Sequence, residues 1–335
     1  MTAPPEQVIS ASAPVRLDFA GGWTDVPPFS ATEGGAVVAA AIGLRTHARV
    51  VCSGEELRLV SEDLDDELTL PGSATPVPDG RLDLLKAALR LHPVGPCTLT
   101  TRSEVPPGSG LGSSGSLDVA LVAALSAARG IPRSPTELAE EGCRLERDEA
   151  GIAGGKQDQF MAALGGFQEL AFRDPDVAVT PLVLDSAFAE ELERSMVLCY
   201  TGMSRISGRT IARVIAAFER REPNVVRALH GMKEIALGMG EALRCADLVR
   251  VARLLSRNWE HQQQLDPAMR TADMERLESA AREAGALGGK AAGSGAGGCM
   301  FFVAPGRAAV VAQAARSAGA SVLPVNWSRE GVLLC

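Results

Sequence analysis

The chain is predicted to be an α+β protein of two halves, and three observations point that way. Its 335 residues exceed what one hydrophobic core usually organises. A strand-like stretch turns through glycines into a long helical pattern in the first half. A second glycine-rich turn leads into a strand near the end. In order, 8–19, 35–42 and 45–52 read as strands, with 21–28 a turn between the first two. Residues 71–80 form a Pro/Gly/Asp loop and 82–91 a short helix. The stretch 97–105 alternates with the period of a half-buried strand. Leu117, Ala120, Leu121, Ala124, Leu125 and Ala128 then mark one face of a helix that Gly130 and Pro132 end. A helical pattern covers 134–149, and Asp174 and Pro175 mark a turn after 167–172. A strand at 196–200 opens the second half, with helices over 207–222, 224–245, 246–264 and 268–284. A strand at 299–303, a helix at 307–318 and strands at 321–325 and 331–334 close the chain. The boundary is placed near 180, giving units 1–180 and 181–335.

Composition narrows the function. A hydrophobic fraction of 46%, a charged fraction of 22% and a net charge of −8 describe a globular protein without the basic footprint that nucleic acid requires. Only four of the 33 basic residues are lysines, a bias we read as genomic. The seven cysteines are scattered with no Cys-x-x-Cys spacing, so reduced thiols fit better than disulfides or zinc. The N-terminus lacks the pattern of a signal peptide, and the apolar run at 34–44 is too short to span a bilayer. The expectation is a cytoplasmic protein with no membrane partner.

The segment Ser109-Gly110-Leu111-Gly112-Ser113-Ser114-Gly115 carries the first chemical signal. Glycines let backbone N–H groups turn toward a ligand, and the helix N-terminus behind them adds partial positive charge, a combination that holds phosphate. The hydroxyls of Ser113 and Ser114 are suited to capping the helix or to binding a metal. The dinucleotide pattern is matched twice, at Gly110-x-Gly112-x-x-Gly115 and Gly293-x-Gly295-x-x-Gly298. However, a helical pattern follows where a dinucleotide-binding unit needs a strand ending in an acid. No Gly-x-x-x-x-Gly-Lys-Ser/Thr loop is present.

A second constellation sets Glu146, on a helix, twelve positions before Asp158, in a glycine turn. Phosphoryl transfer needs one carboxylate for Mg²⁺ and another to orient or deprotonate the attacking hydroxyl. Asp158 is equally suited to capping the helix that follows it, and Glu146 to a solvated helix face.

With these residues in view, the chain resembles the GHMP kinase superfamily over nearly its whole length. Three motifs occur in the family's order. They run from Pro14 through Arg16 to Asp25, from Pro106 to Ser114, and from Gly293 to Cys299. The resemblance implies a ribosomal protein S5 domain 2-like N-terminal domain with a left-handed βαβ unit, a ferredoxin-like C-terminal domain, and a site between them. It implies that Pro107, Gly108, Ser109, Gly110, Leu111, Gly112, Ser113 and Ser114 wrap the phosphates of ATP. Ser114 or Ser113 with Glu146 would hold Mg²⁺, Asp158 would be the catalytic aspartate, and Arg16 would lie beside the attacked phosphate. Asp25, with Gly22 and Trp23, falls where sugar kinases bind the acceptor. Gly293, Ser294, Gly295, Ala296 and Gly297 form the third motif, beside the nucleotide.

Two branches compete for the acceptor. The run Gly154-Gly155-Lys156-Gln157-Asp158 is most similar to heptose 7-phosphate kinases, whereas 15–28 is also close to L-fucokinases. Both act on an anomeric hydroxyl. The expected reaction is therefore ATP- and Mg²⁺-dependent phosphorylation of C1 of a heptose 7-phosphate to the 1,7-bisphosphate. An unphosphorylated sugar such as L-fucose is the alternative acceptor. Lys156, Gln157 and Arg205 are the expected acceptor-side partners, with Lys156, Arg205 and Arg209 as candidate grips on the distal phosphate. Gly22-Trp23 replaces the Glu-His of galactokinases, which counts against galactose. Gly115 stands where the family usually has Ser or Ala, a departure expected to leave phosphate binding intact. A sensor that binds sugar and ATP without turnover is disfavoured by the presence of both Asp158 and Arg16. A homodimer is compatible with this reading.

Overall fold

The computed structural model describes residues 7–202 and 208–335. The elements run β1 (Gln7–Ala20), α1 (Phe29–Thr32), β2 (Gly35–Cys52), β3 (Glu56–Ser61), β4 (Asp66–Pro71), α2 (Asp83–Leu91), β5 (Cys97–Ser103), α3 (Ser113–Ala128) and α4 (Pro135–Arg144). They continue with α5 (Gln157–Leu164), β6 (Phe167–Arg173), β7 (Asp176–Pro181), α6 (Ser186–Ser195), β8 (Met196–Tyr200), α7 (Gly208–Glu219), α8 (Pro223–Arg244) and α9 (Leu248–Gln262). The last are α10 (Ala272–Glu283), β9 (Gly288–Ala291), β10 (Cys299–Val303), α11 (Ala308–Ser317), β11 (Ser321–Leu323) and β12 (Leu333–Leu334).

Two sheets result. The first has the path β12-β1-β2-β5-β3-β4, with β6 and β7 added along the first half of β2. The second is β11-β8-β10-β9, antiparallel throughout. The stretches 35–42 and 45–52, expected as separate strands, form one 18-residue strand. Its first half pairs with β6 and its second with β5. No turn interrupts it, because the Gly43 N–H finds Asn326 O at 2.8 Å.

Side-chain alternation along β1 explains where the site lies. Ala11 and Ala13 face the core beneath α2–α5, while Val15, Leu17 and Phe19 face a second core. All five are odd-numbered, so the strand has reversed its faces. The ladder irregularity between Pro14 and Val15 does this. The even-numbered Arg16 and Asp18 are thereby turned toward the side that carries α3 and α5.

The second core is shared between the sheets. It joins Val15, Leu17, Phe19, Val38 and Ile42 to Leu198, Phe301 and Val303, with α8 and α9 packed on it. Phe19 meets Phe301 at 5.6 Å and Phe167 and Trp327 at 6.2 Å between ring centroids. Several elements escaped sequence reading, among them the strands β3, β4 and β7, helix α6 and strand β9. Helix α6 begins at Asp185, whose carboxylate caps Ala187 and Phe188 N–H. Strand β9, Gly-Gly-Lys-Ala, has no strand-forming composition and exists because it is wholly buried against β10. Among the described residues no helix is long and apolar enough to cross a membrane.

Candidate active site

A cleft opens where β1, the N-terminus of α3, the N-terminus of α5 and the turn after β9 converge. Its lining includes Arg16, Asp18, Gly22, Trp23, Asp25, Gly110, Gly112, Ser113, Ser114, Glu146, Gln157, Asp158, Gly293 and Ser294.

One wall is backbone. Gly108, Gly110 and Gly112 take φ of +64°, +74° and +77°, turning the loop into α3. No side chain caps the helix, so Ser113 and Ser114 do not serve as caps and the first N–H groups of α3 face the cleft's end of the loop. The turn from 293 lies directly against this loop. A Cβ on Gly293 would come within 2.2 Å of Gly110 O, so only glycine fits there. Cys299 N–H donates to Ser109 O at 2.7 Å and pins the two loops together. Pro107, Gly108, Ser109 and Leu111 support the loop without lining the cleft: Pro107 O accepts from Tyr200 Oη, and Leu111 O accepts from Arg16 N. Ala296 N–H donates to Met269 O and Gly297 N–H meets Met274 Sδ. With Gly295, these residues form the back of the third motif, while Gly293 and Ser294 form its front.

The other wall is side chains. Arg16 is 5% exposed, and its Nε donates to Asp158 Oδ1 at 2.8 Å. Its Nη1 donates to Gly110 O at 2.7 Å and Ala292 O at 3.0 Å, so one guanidinium ties both glycine loops to the carboxylate. Asp158 is the more accessible partner, with its side chain 28% exposed. It opens α5 without capping it. Gly115, the family departure, has a role here, since a Cβ would lie 2.6 Å from Asp158 Cβ. The missing methyl gives the aspartate its place.

Glu146 sits in the wide helical turn 145–149 that extends α4. Its Oε1 accepts from Ser114 Oγ at 2.9 Å and its Oε2 from Gln159 Nε2 at 2.7 Å. Burial, and then the nearby Asp158, push the Glu146 carboxyl above its ordinary value. Asp118, fully buried one turn beyond Ser114, is pushed well above the usual carboxylate range by burial and then by Glu146.

Asp25 lies at the far end, in the turn 21–25 where Trp23 takes φ +75°. A bulky residue there costs roughly 1–3 kcal/mol. Thr24 Oγ1 fixes the turn by donating to Gly21 O and accepting from Ala36 N. Asp25 accepts from Gln157 N at 3.1 Å and Gln157 Nε2 at 3.3 Å. Burial outweighs these bonds and raises its carboxyl to about 6. Trp23, Val26 and Ile211 give this end an apolar side.

One expectation is corrected. Lys156 does not face the cleft. Its Nζ is bound to Asp174 Oδ1 and Pro175 O, both at 2.6 Å, and it is not among the residues lining the cleft. The other candidate grips on a distal phosphate, Arg205 and the side chain of Arg209, lie outside what the structure describes. Asp18 and Lys290 were not foreseen. Lys290, fully buried, donates to Asp18 Oδ2 at 2.8 Å and Asp18 O at 2.6 Å. The signals were present: Asp18 is two residues from Arg16 on one strand, and Lys290 is one of four lysines in an arginine-rich chain.

Comparison with known proteins agrees with this geometry. Residues 82–166 match the GHMP kinases N terminal domain and residues 239–321 the GHMP kinases C terminal domain. The chain is 31% identical to a D-glycero-alpha-D-manno-heptose 7-phosphate kinase of Campylobacter jejuni, over 97% of this chain and 98% of that protein. It is 29% identical to an L-fucokinase/L-fucose-1-P guanylyltransferase of Bacteroides fragilis, over 89% of this chain and 35% of that longer protein. The structure of a D-glycero-D-manno-heptose 1-phosphate kinase from Bacteroides thetaiotaomicron superposes with a TM-score of 0.82 at 27% identity, covering 98% of both chains.

Proposed function

The chain belongs to the GHMP kinases, and from that premise we propose that it transfers the γ-phosphoryl group of ATP to the anomeric C1 hydroxyl of a sugar, a heptose 7-phosphate being the first candidate acceptor. The observation that carries this reading is the Arg16–Asp158 pair, bonded to Gly110 O and Ala292 O, between the phosphate-binding wall and the Asp25 end. Phosphoryl transfer asks mainly for positioning and charge compensation. Asp158 accepts the proton of the attacking hydroxyl, or orients that hydroxyl, while Arg16 offsets charge developing on the transferred group. Asp25, held by Gln157, accepts from another acceptor hydroxyl.

The donor set suits Mg²⁺. Neighbouring ligand positions of an octahedron with metal–oxygen bonds of about 2.0–2.1 Å lie about 2.9 Å apart. Ser114 Oγ and Glu146 Oε1 are separated by 2.9 Å. These two would hold the ion, which supplies charge neutralisation on the β- and γ-phosphates.

The full-length similarity to a heptose 7-phosphate kinase supports the phosphorylated acceptor. One observation favours an unphosphorylated sugar instead. Among the described residues lining the cleft, Arg16 is the sole cationic side chain, and Lys156 is committed to Asp174. An ADP-release assay with D-glycero-D-manno-heptose 7-phosphate, the free heptose and L-fucose decides between them. Higher kcat/KM for the 7-phosphate sustains the first reading, and higher kcat/KM for L-fucose replaces it. ADP release with none of these sugars overturns both.

A further inference from the structure

Asp118 is the feature that the proposed reaction does not use. It lies in the interior of α3 among Val119, Ala120 and Leu121, all fully buried, where an apolar residue would pack without an electrostatic cost. Its Oδ2 accepts from Gln159 Nε2 at 3.1 Å, and its Oδ1 has no partner. The same Gln159 nitrogen donates to Glu146 Oε2 at 2.7 Å. An amide nitrogen has two N–H groups, and each is taken by one acid. The amide oxygen is left facing Cys143, whose Sγ lies 3.6 Å away. Turning the amide over would set its oxygen against Asp118 and Glu146 together. Two acids thus lock one orientation of Gln159, and Gln159 with Ser114 locks both oxygens of Glu146.

We propose that Asp118, acting through Gln159, is a positioning residue that sets the orientation of Glu146 and through it the affinity of the cleft for a divalent cation. The inference rests on the reading that Glu146 and Ser114 hold the metal. Groups that orient a metal ligand from behind typically alter metal affinity 10- to 100-fold when removed. An acceptor oxygen is needed at 118 because a small apolar residue there would leave one amide N–H free. The amide would then turn, and its oxygen would repel Glu146.

The test is Mn²⁺ binding in the presence of ADP, followed by electron paramagnetic resonance of the free ion, so that turnover is not the readout. Asp118→Ala is expected to raise the Mn²⁺ dissociation constant about 10- to 100-fold, with the affinity for metal-free ADP unchanged. Asp118→Asn, whose amide oxygen still accepts from Gln159, is expected to bind Mn²⁺ like the wild type. Wild-type affinity in Asp118→Ala, or equal loss in both variants, overturns the proposal. If melting curves show Asp118→Ala unfolded, Gln159→Met carries the test with the same expected loss, and unchanged affinity there is equally fatal. Glu146→Gln separates the two layers of argument. Loss in Glu146→Gln with none in Asp118→Ala rejects this proposal alone, and no loss in Glu146→Gln rejects the metal reading beneath it.

Discussion

The two walls of the cleft are made of different material. The wall proposed to face phosphate is main chain: glycines at positive φ, an uncapped helix start, and a second glycine turn fitted against the first. The wall proposed to face the acceptor is side chain. Asp25, Gln157, Trp23 and Ile211 come from three distant stretches, and Asp25 is buried enough for its carboxyl to rise to about 6. Backbone donors suit a ligand that is the same in every reaction, because they scarcely change with sequence. Side chains suit the ligand that varies. The Arg16–Asp158 pair stands where the two walls meet.

The largest effect is expected at that junction. Asp158→Asn should lose about 10²–10⁴-fold in turnover while ATP still binds, measured by ADP release and by calorimetry. The paired melting curve matters, because Arg16 would be left buried beside a weaker acceptor. Near-normal turnover would show that the junction is structural only.

The backbone wall is tested by Gly293→Ala. The added methyl must displace Gly110 O, and overpacking of this kind costs about 1–3 kcal/mol. We expect ATP affinity to weaken about tenfold, each factor of ten being about 1.4 kcal/mol, with acceptor KM nearly unchanged. Equal loss on both sides would mean that the walls are not separable.

The acceptor wall is tested by Asp25→Asn. A buried acid whose pKa is raised in the folded state contributes its stability fully below its ordinary value of 3.8, and that contribution is lost as pH rises through about 6. Above pH 6 the asparagine variant should therefore be more stable than the wild type, by ~1–3 kcal/mol, with the two converging near pH 4. The Gln157 amide can turn its unpartnered Oε1 toward the new amide group. Acceptor kcat/KM should fall in the wild type below about pH 6 and lose that limb in the variant. Parallel melting temperatures from pH 4 to 8 would contradict this.

The smallest effect is expected at Lys156→Met. Because this lysine is bound to Asp174 and Pro175, the preference for a phosphorylated over an unphosphorylated sugar should not change. A collapse of that preference, read as the ratio of two kcat/KM values, would return Lys156 to the acceptor wall.

The same contrast explains what the sequence disclosed. The glycine-built wall was legible as backbone because glycine spacing is a constraint on local conformation, and the proximity of Glu146 and Asp158 in one cleft followed from short-range order. The strands and helices with clear periods were legible too. Strand β9 was not, because nothing in Gly-Gly-Lys-Ala favours extension apart from the partner it meets. Lys156 was misjudged because Asp158, two positions on, lines the cleft, while the lysine at the cap of α5 is bound to Asp174 and Pro175. Asp18, Asp118 and Lys290 stayed hidden because their significance lies in contacts across 41 to 272 residues of chain.

The end of the chain has a consequence for how the molecule is made. Residues 326–335 are threaded into the first sheet: Asn326 O accepts from Gly43 N, Ser328 N donates to Ala41 O, and Cys335 N donates to Ser10 O. A ribosome adding about 5–20 residues per second reaches residue 335 more than 150 residues after it completes β7. The first sheet must wait roughly ten to thirty seconds for its closing clasp. During that interval the outer edge of β1 is an unpaired strand edge, open to other chains. Nascent chains stalled after Val325 should accordingly be cut by protease within β1, and released chains that carry 326–335 should resist that cut.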